Sequence, residues 1–364
     1  MSILNVMWAS GAAFASTHKV HQQILAHASP SVPVNTWLLQ GSASQSGATV
    51  GDVREWGLSS AQLKGRSFWR FTKPWMQAGF KKALKESEVR LMLLDGLGVA
   101  RTMVPLLASL PSLRAVVVFH GSTRLSPADR ALFKKTPTSQ LTLAAVSNTL
   151  AQALSADLQL PVVTLRSAFD PAAFQSALLT REQARSRLGL PADDSQVLGA
   201  VGRLVAGKGF ACLINAFAEA LRERPSLRLV IVGEGAERSA LQAQIEAKGL
   251  RDSVSLPGHL NDAAQLYRAF DWIAIPSLSE GLGLIMQEAV LAGVPVLSSD
   301  LEVFREQLGA AGWYAPVEDV SRWHAAIVRA FEAAPQTIAA QQYQVLAPEK
   351  AWQNFSQTAR SLLL

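Results

Sequence analysis

Cysteine is nearly absent from this chain. Cys212 stands alone, so no internal disulfide is available, and its place between Ala211 and Leu213 on an apolar helical stretch marks it for packing rather than chemistry. Long apolar runs are missing too: nothing approaches the roughly 18–20 residues that a membrane-spanning helix needs. The opening Met1-Ser2-Ile3-Leu4-Asn5-Val6 lacks the basic start of a secretory signal, from which a cytoplasmic protein is expected. No Asp-x-Asp triplet occurs, and His18, His21, His27, His259 and His324 form no helical pair with a carboxylate at zinc spacing, so no catalytic metal is expected. Charge is sparse at 17%, against 49% hydrophobic residues in 364, which excludes a disordered chain and leaves material for two packed cores. Short repeats and low-complexity tracts are absent.

The charge that is present is unevenly spread. Residues 1–175 carry 17 Lys/Arg against 8 Asp/Glu, whereas residues 176–364 carry 17 against 20. Such asymmetry points the front half toward an anionic partner, whether membrane lipid, phosphorylated glycan or nucleic acid; a solvated basic face is the plainer reading of net charge alone. The densest stretch is Lys64–Lys85, where Arg66, Arg70, Lys73, Lys81 and Lys82 interleave with Phe68, Trp69, Phe71, Trp75 and Phe80. Basic heads among aromatic rings suit the headgroup layer of an anionic inner-membrane surface. They equally suit a helix with its aromatics in the core and its lysines in water. No nucleic-acid module is recognisable, so nucleic acid is not an expected partner.

Short apolar runs alternate with longer helical patterns: Ile3–Trp8, Val34–Leu39, Leu91–Leu94, Ala115–Phe119, Leu141–Val146 and Val162–Leu165. The pattern restarts at Val197–Val201 and continues through Leu227–Val232, Val254–Leu256, Trp272–Pro276, Val294–Leu297 and Gly312–Ala315. This alternation predicts an α/β chain of two Rossmann-like doubly wound domains, residues 1–168 and 169–345, facing a central cleft. Ligands of such sheets bind beyond the carboxyl ends of the strands.

Two segments carry the chemistry. Ser279-Glu280-Gly281-Leu282-Gly283-Leu284-Ile285-Met286-Gln287-Glu288-Ala289 is a glycine-rich turn between two carboxylates that runs into an apolar helix. Glycines let bare backbone approach a ligand, and a helix start offers N–H groups and a positive dipole end to phosphate or sugar oxygens. Upstream, Gly202-Arg203-Leu204-Val205-Ala206-Gly207-Lys208-Gly209 follows the apolar run Val197–Val201 and supplies two cations. Together the segments outline a clamp for a diphosphate-linked sugar.

From Val197 to about Phe331 the order of motifs resembles the nucleotide-binding half of retaining glycosyltransferases of family 4, which have the GT-B fold. The motifs are Val201-Gly202-Arg203 with Lys208-Gly209; Val232-Gly233-Glu234-Gly235 with Arg238 and Leu241; Leu256-Pro257-Gly258-His259; Pro276-Ser277-Leu278-Ser279-Glu280-Gly281 to Glu288-Ala289; and Ala292-Gly293-Val294-Pro295-Val296. In the first domain, Val116-Val117-Val118-Phe119-His120-Gly121 ends an apolar strand in a histidine, as the family's active-site histidine does. Two segments depart from the family pattern. Ser10-Gly11-Ala12-Ala13 has one glycine where relatives often have a pair, and Arg166-Ser167-Ala168-Phe169-Asp170 replaces the usual hinge.

The resemblance implies a metal-independent hexosyltransferase that moves a sugar from a nucleotide diphosphate donor, UDP favoured, to a glycan or glycolipid acceptor. Lipopolysaccharide core or another cell-envelope glycan is the expected acceptor, and the inner face of the plasma membrane the expected place. No cofactor is implied, since the nucleotide-sugar is a substrate. Arg203 and Lys208 are implied to grip the diphosphate, Glu280 to position the donor sugar, Glu288 to hold ribose hydroxyls, and His120 to contact the sugar or brace the reacting centre. Backbone from Gly281, Leu282, Gly283 and Leu284, with Gly11, Gly233, Glu234, Gly258, His259 and Leu260, completes the implied donor site. The last residues, 346–364, are implied to form a helix returning to the first domain. The other class of function open to the sequence is a catalytically silent GT-B protein that binds sugar nucleotides.

Overall fold

A computed structural model of the chain describes residues 2–9, 15–43, 49–64, 71, 73–191 and 195–364. The chain divides into two compact units, Met1–Ser167 together with Gln353–Leu364, and Ala168–Trp352. Each is built on a single parallel sheet with helices between the strands.

In the first unit the strands are β1 (Ser2–Ala9), β2 (Val34–Gln40), β3 (Val53–Glu55), β4 (Val89–Asp95), β5 (Arg114–Phe119), β6 (Leu141–Ala145) and β7 (Val162–Thr164). They lie in the order β3-β2-β1-β4-β5-β6-β7. A parallel strand covered on both faces reads as a continuous apolar run rather than an alternation. Leu91, Met92, Leu93 and Leu94 of β4 are accordingly all buried. β3 does not read as a strand in the sequence, because this short edge segment, Val53-Arg54-Glu55, leaves Arg54 and Glu55 exposed and has no apolar run. The helix Pro127–Lys135 starts on a capping box formed by Ser126 and Asp129. The same Asp129 accepts both Nε and Nη2 of Arg101, each at 2.7 Å. The closing helix, Pro348–Leu363, brings Phe355 against the His27 ring with centroids 5.8 Å apart, and Arg114 donates to the carbonyl of Leu364.

The second unit orders β8 (Val197–Val201), β9 (Arg228–Val232), β10 (Val254–Gly258), β11 (Trp272–Ile275), β12 (Val296–Ser299) and β13 (Trp313–Ala315) as β10-β9-β8-β11-β12-β13. Its helix Phe210–Glu223 buries Phe210, Leu213, Ile214, Phe217 and Ala220, the spacing of one helical face. Trp272 and Trp323 are fully buried in the same core, where a large apolar side chain contributes roughly 1.5–3 kcal/mol. Cys212 packs partly buried at its margin, and burial pushes its thiol up.

Both sheets reverse direction part-way. The chain leaves β8 toward β9 and β10 on one side, then returns to β11 on the other. The carboxyl ends of β8 and β11 therefore flank a topological switch point, as do those of β1 and β4 in the first unit, and such points are where open α/β sheets bind ligands.

Part of the basic aromatic stretch Lys64–Lys85 belongs to the helix Lys73–Glu86. Phe80 is fully buried against Trp37 and Trp56, with centroids 5.9 and 4.3 Å away, so this aromatic is core. Trp75 and Phe71 are 84% and 63% exposed. Arg66, Phe68, Trp69 and Arg70 lie outside the described residues. Among the described residues, no helix is long and apolar enough to cross a membrane.

Candidate functional site

In the second unit, the loop after β8 (residues 202–209) and the loop after β11 (276–283) meet at three successive points. Gly209 lies against Pro276, the Leu278 N–H donates to the Gly207 carbonyl at 2.9 Å, and the Lys208 ammonium pairs with Glu280 Oε1. Gly209 makes the approach feasible. It sits at φ +68° as the N-cap of the helix Phe210–Glu223, and a Cβ there would stand 2.0 Å from the Pro276 carbonyl oxygen. Ser277 Oγ donates to the same Glu280 oxygen at 2.8 Å, fixing the carboxylate from a second side. Both members of the ion pair are mostly covered, with Lys208 19% and Glu280 12% exposed. Arg203 stands exposed on the loop that carries Lys208.

Beyond Glu280, the segment Gly281-Leu282-Gly283-Leu284 turns into the helix Leu284–Leu291. Gly283 caps it at φ +80°, directly against Phe304, whose Cε1 would lie 2.4 Å from an added Cβ. Gln307 holds the turn by donating to the Leu282 carbonyl at 2.5 Å. Within the helix, Glu288 is buried and its Oε2 accepts the Tyr267 hydroxyl at 2.7 Å. Burial, with the Glu288 carboxylate adding, pushes the Tyr267 phenol far up, so it remains a donor to that carboxylate.

The loops after β9 and β10 join the same end of the sheet through main-chain bonds. Gly202 N–H donates to Val232 O at 2.9 Å, Leu204 N–H to Glu234 O at 2.8 Å, and Gly233 N–H to Gly258 O at 2.9 Å. The Glu234 side chain pairs with Arg238 at 2.7 Å, and Arg238 also donates to the Leu256 carbonyl at 3.0 Å. His259 is exposed, 3.1 Å from Asn261 Oδ1, with Leu260 beside it. The carboxyl edge of this sheet thus gathers Arg203, Lys208, Gly233, Glu234, Gly258, His259, Leu260, Glu280 and the turn after it.

His120 belongs to the first unit, immediately after β5. Its Nε2 is 3.3 Å from His21 Nε2 and 3.6 Å from Asp95 Oδ1. Burial holds both imidazoles below the ordinary histidine range, His120 down to about 3, and pushes the Asp95 carboxyl up to about 6. Gly11 lies outside the described residues.

Several residues of these sites are not singled out by the sequence reading. Asp95 ends β4 at the switch point, a place where an acid at the end of an apolar strand is a usable signal. His21, Asn5, Ser277 and Tyr267 carry no such signal, since only the packing of distant elements gives them their neighbours.

Residues 195–333 match the family model described as glycosyl transferases group 1. The matched part of the second unit is a domain similar to those of group 1 glycosyltransferases. Over 125 residues this domain is 38% identical to the D-inositol 3-phosphate glycosyltransferase of Segniliparus rotundus, an alignment covering 32% of the chain; the chain spans only 27% of that relative's length. Similarity of fold extends further than similarity of sequence. A glycosyltransferase from Rickettsia africae superposes with a TM-score of 0.80 at 15% identity, covering 100% of this chain and 98% of that one. Anabaena HepE, crystallised in complex with UDP, superposes with a TM-score of 0.75 at 20% identity, covering 99% and 100%. Both units thus have the α/β architecture of GT-B glycosyltransferases.

Proposed function

We propose that the protein is a retaining glycosyltransferase of family 4 that moves a hexose from a nucleotide diphosphate donor to a glycan or glycolipid of the cell envelope. The observation that carries the reading is the Lys208–Glu280 pair at the switch point between β8 and β11. A cation for phosphate and a carboxylate for sugar hydroxyls are held side by side there, where a diphosphate-linked sugar presents both groups. The UDP bound by the Anabaena neighbour supports a uridine nucleotide.

In this reading Arg203 and Lys208 grip the diphosphate and stabilise the charge that grows on the leaving phosphate. Glu280 positions the donor sugar, aided by backbone N–H groups of the turn Gly281–Leu284, and Glu288, oriented by Tyr267, receives the ribose hydroxyls. His120 contacts the sugar or braces the reacting centre. The anomeric carbon parts from the phosphate oxygen and bonds to the acceptor oxygen on the same face, while the acceptor's hydroxyl proton passes to the departing phosphate. Catalysis is then chiefly positioning and electrostatics. The step calls for no cofactor or metal, because the donor carries its own leaving group and the two cations answer its charge. The exposed Trp75 and Phe71, with the neighbouring lysines, support attachment to an anionic membrane surface from which a glycolipid acceptor is reached.

The test is incubation of the purified chain with a panel of UDP-, GDP- and ADP-sugars, following release of the nucleoside diphosphate and of free sugar. Donor turnover supports the enzyme; saturable binding without any turnover would mark a silent sugar-nucleotide binder instead.

A further inference from the structure

His21, Asp95 and His120 come from three elements of the first unit: the helix Ala15–Leu25, the end of β4 and the residue after β5. One ligand-type atom from each lies within 4.8 Å of the other two. The separations from His120 Nε2 are 3.3 Å to His21 Nε2 and 3.6 Å to Asp95 Oδ1. In a tetrahedral zinc site with bonds of about 2.0–2.1 Å, neighbouring ligand atoms stand about 3.3–3.4 Å apart. The nitrogen pair already has that spacing, and the remaining side of the triangle has at most about 1.5 Å to close.

The atoms behind two of these ligands are held as well. His21 Nδ1 is 2.7 Å from Asn5 Oδ1, which leaves Nε2 to face His120. Asp95 Oδ2 accepts the Trp8 N–H at 3.3 Å, which leaves Oδ1 to face the imidazoles. Ligating histidines characteristically use their second nitrogen on an oxygen in this way, which fixes the ring and its tautomer. Asn5 is fully buried within β1, flanked by Leu4 and Val6, and its amide oxygen is spent on that imidazole. Asp95 and His120 keep 10% and 17% of their side-chain surface, so the cluster is reachable from solvent.

We propose that His21, Asp95 and His120 form a binding site for one divalent transition metal, zinc best, with the fourth position left to water or a small ligand. Two imidazoles and one carboxylate favour zinc, cobalt, nickel or copper over magnesium and manganese. The metal has no step in the transfer proposed above, and its binding does not depend on that reading. It occupies His120 Nε2, however, so metal binding and a His120 contact to the donor sugar exclude each other.

The experiment uses the full chain without an affinity tag, stripped with EDTA and titrated with Co(II) and then Zn(II). Wild type is expected to take one equivalent of cobalt with the intense visible absorption of a tetrahedral nitrogen–oxygen site, to release it to zinc, and to melt at a higher temperature with zinc bound. His120→Ala is expected to abolish the absorption, and Asp95→Asn, which keeps the side chain's shape, to weaken binding at least tenfold, while His324→Ala in the second unit binds as wild type. Metal-free circular dichroism and melting curves verify folding; if His21→Ala fails to fold, the His120 and Asp95 variants carry the test. No cobalt absorption in wild type, or absorption that survives unchanged in both His120→Ala and Asp95→Asn, would overturn the proposal.

Discussion

The ammonium of Lys208 and the carboxylate of Glu280 are ion-paired although 72 residues separate them in sequence. The pair spans the loops of two adjacent parallel strands, so each side chain neutralises a charge that the other loop holds mostly out of water. Removing either partner alone strands the other. We expect Lys208→Met and Glu280→Gln each to lower stability by about 1–3 kcal/mol in urea unfolding. The double variant should lose clearly less than the sum, the sign of direct coupling. Additive losses would mean that the two groups do not support each other.

Gly283 is the second point where the site depends on one atom. Its φ of +80° disfavours a side chain, and an added Cβ would stand 2.4 Å from Phe304 Cε1. Gly283→Ala is expected to cost about 1–3 kcal/mol from backbone strain and a comparable amount from overpacking. Adding Phe304→Leu should recover part of the second contribution but none of the first. Equal stability of wild type and Gly283→Ala in denaturant unfolding would show that the turn is not built as described.

Asp129 gives the first unit a pH signature. Hydrogen bonds from Arg101 hold its carboxyl well below the usual carboxylate range, Ser126 adding to them against the opposing effect of burial. A depressed carboxyl contributes stability above its unfolded pKa of about 3.9 and loses it as pH falls toward the folded value. Asp129→Asn should therefore be less stable than wild type at pH 7, with a gap that narrows steadily below about pH 4. A gap of constant size from pH 7 to pH 3 would contradict this assignment.

Membrane attachment is tested by vesicle flotation. Binding is expected to vesicles rich in anionic lipid, to weaken several-fold in Trp75→Ala, and to fall as salt is raised. Equal flotation with neutral and anionic vesicles would remove the electrostatic basis for it.

Most of the fold is legible in the sequence because buried parallel strands, such as Leu91–Leu94, are unbroken apolar runs between helical patterns. β3 escapes because a short, exposed edge strand needs no such run. In the basic aromatic stretch the composition fits both a membrane face and a core helix; the fold gives Phe80 to the core and leaves Trp75 outside. Lys208 and Glu280 are each legible as chemistry-bearing residues in glycine-rich loops, whereas their pairing depends on β8 and β11 being neighbours. His21, Asp95 and His120 are less legible still. Their spacing in sequence matches no local metal motif, and they meet only because a helix packs at the ends of β4 and β5.

The most direct test of the account is the turnover number of wild type, Lys208→Ala and Glu280→Ala on the best donor of the nucleotide-sugar panel, with folding verified for each. Both variants are expected to stay folded and to lose about 10²–10³-fold or more in kcat. Wild-type turnover in either folded variant would contradict the account.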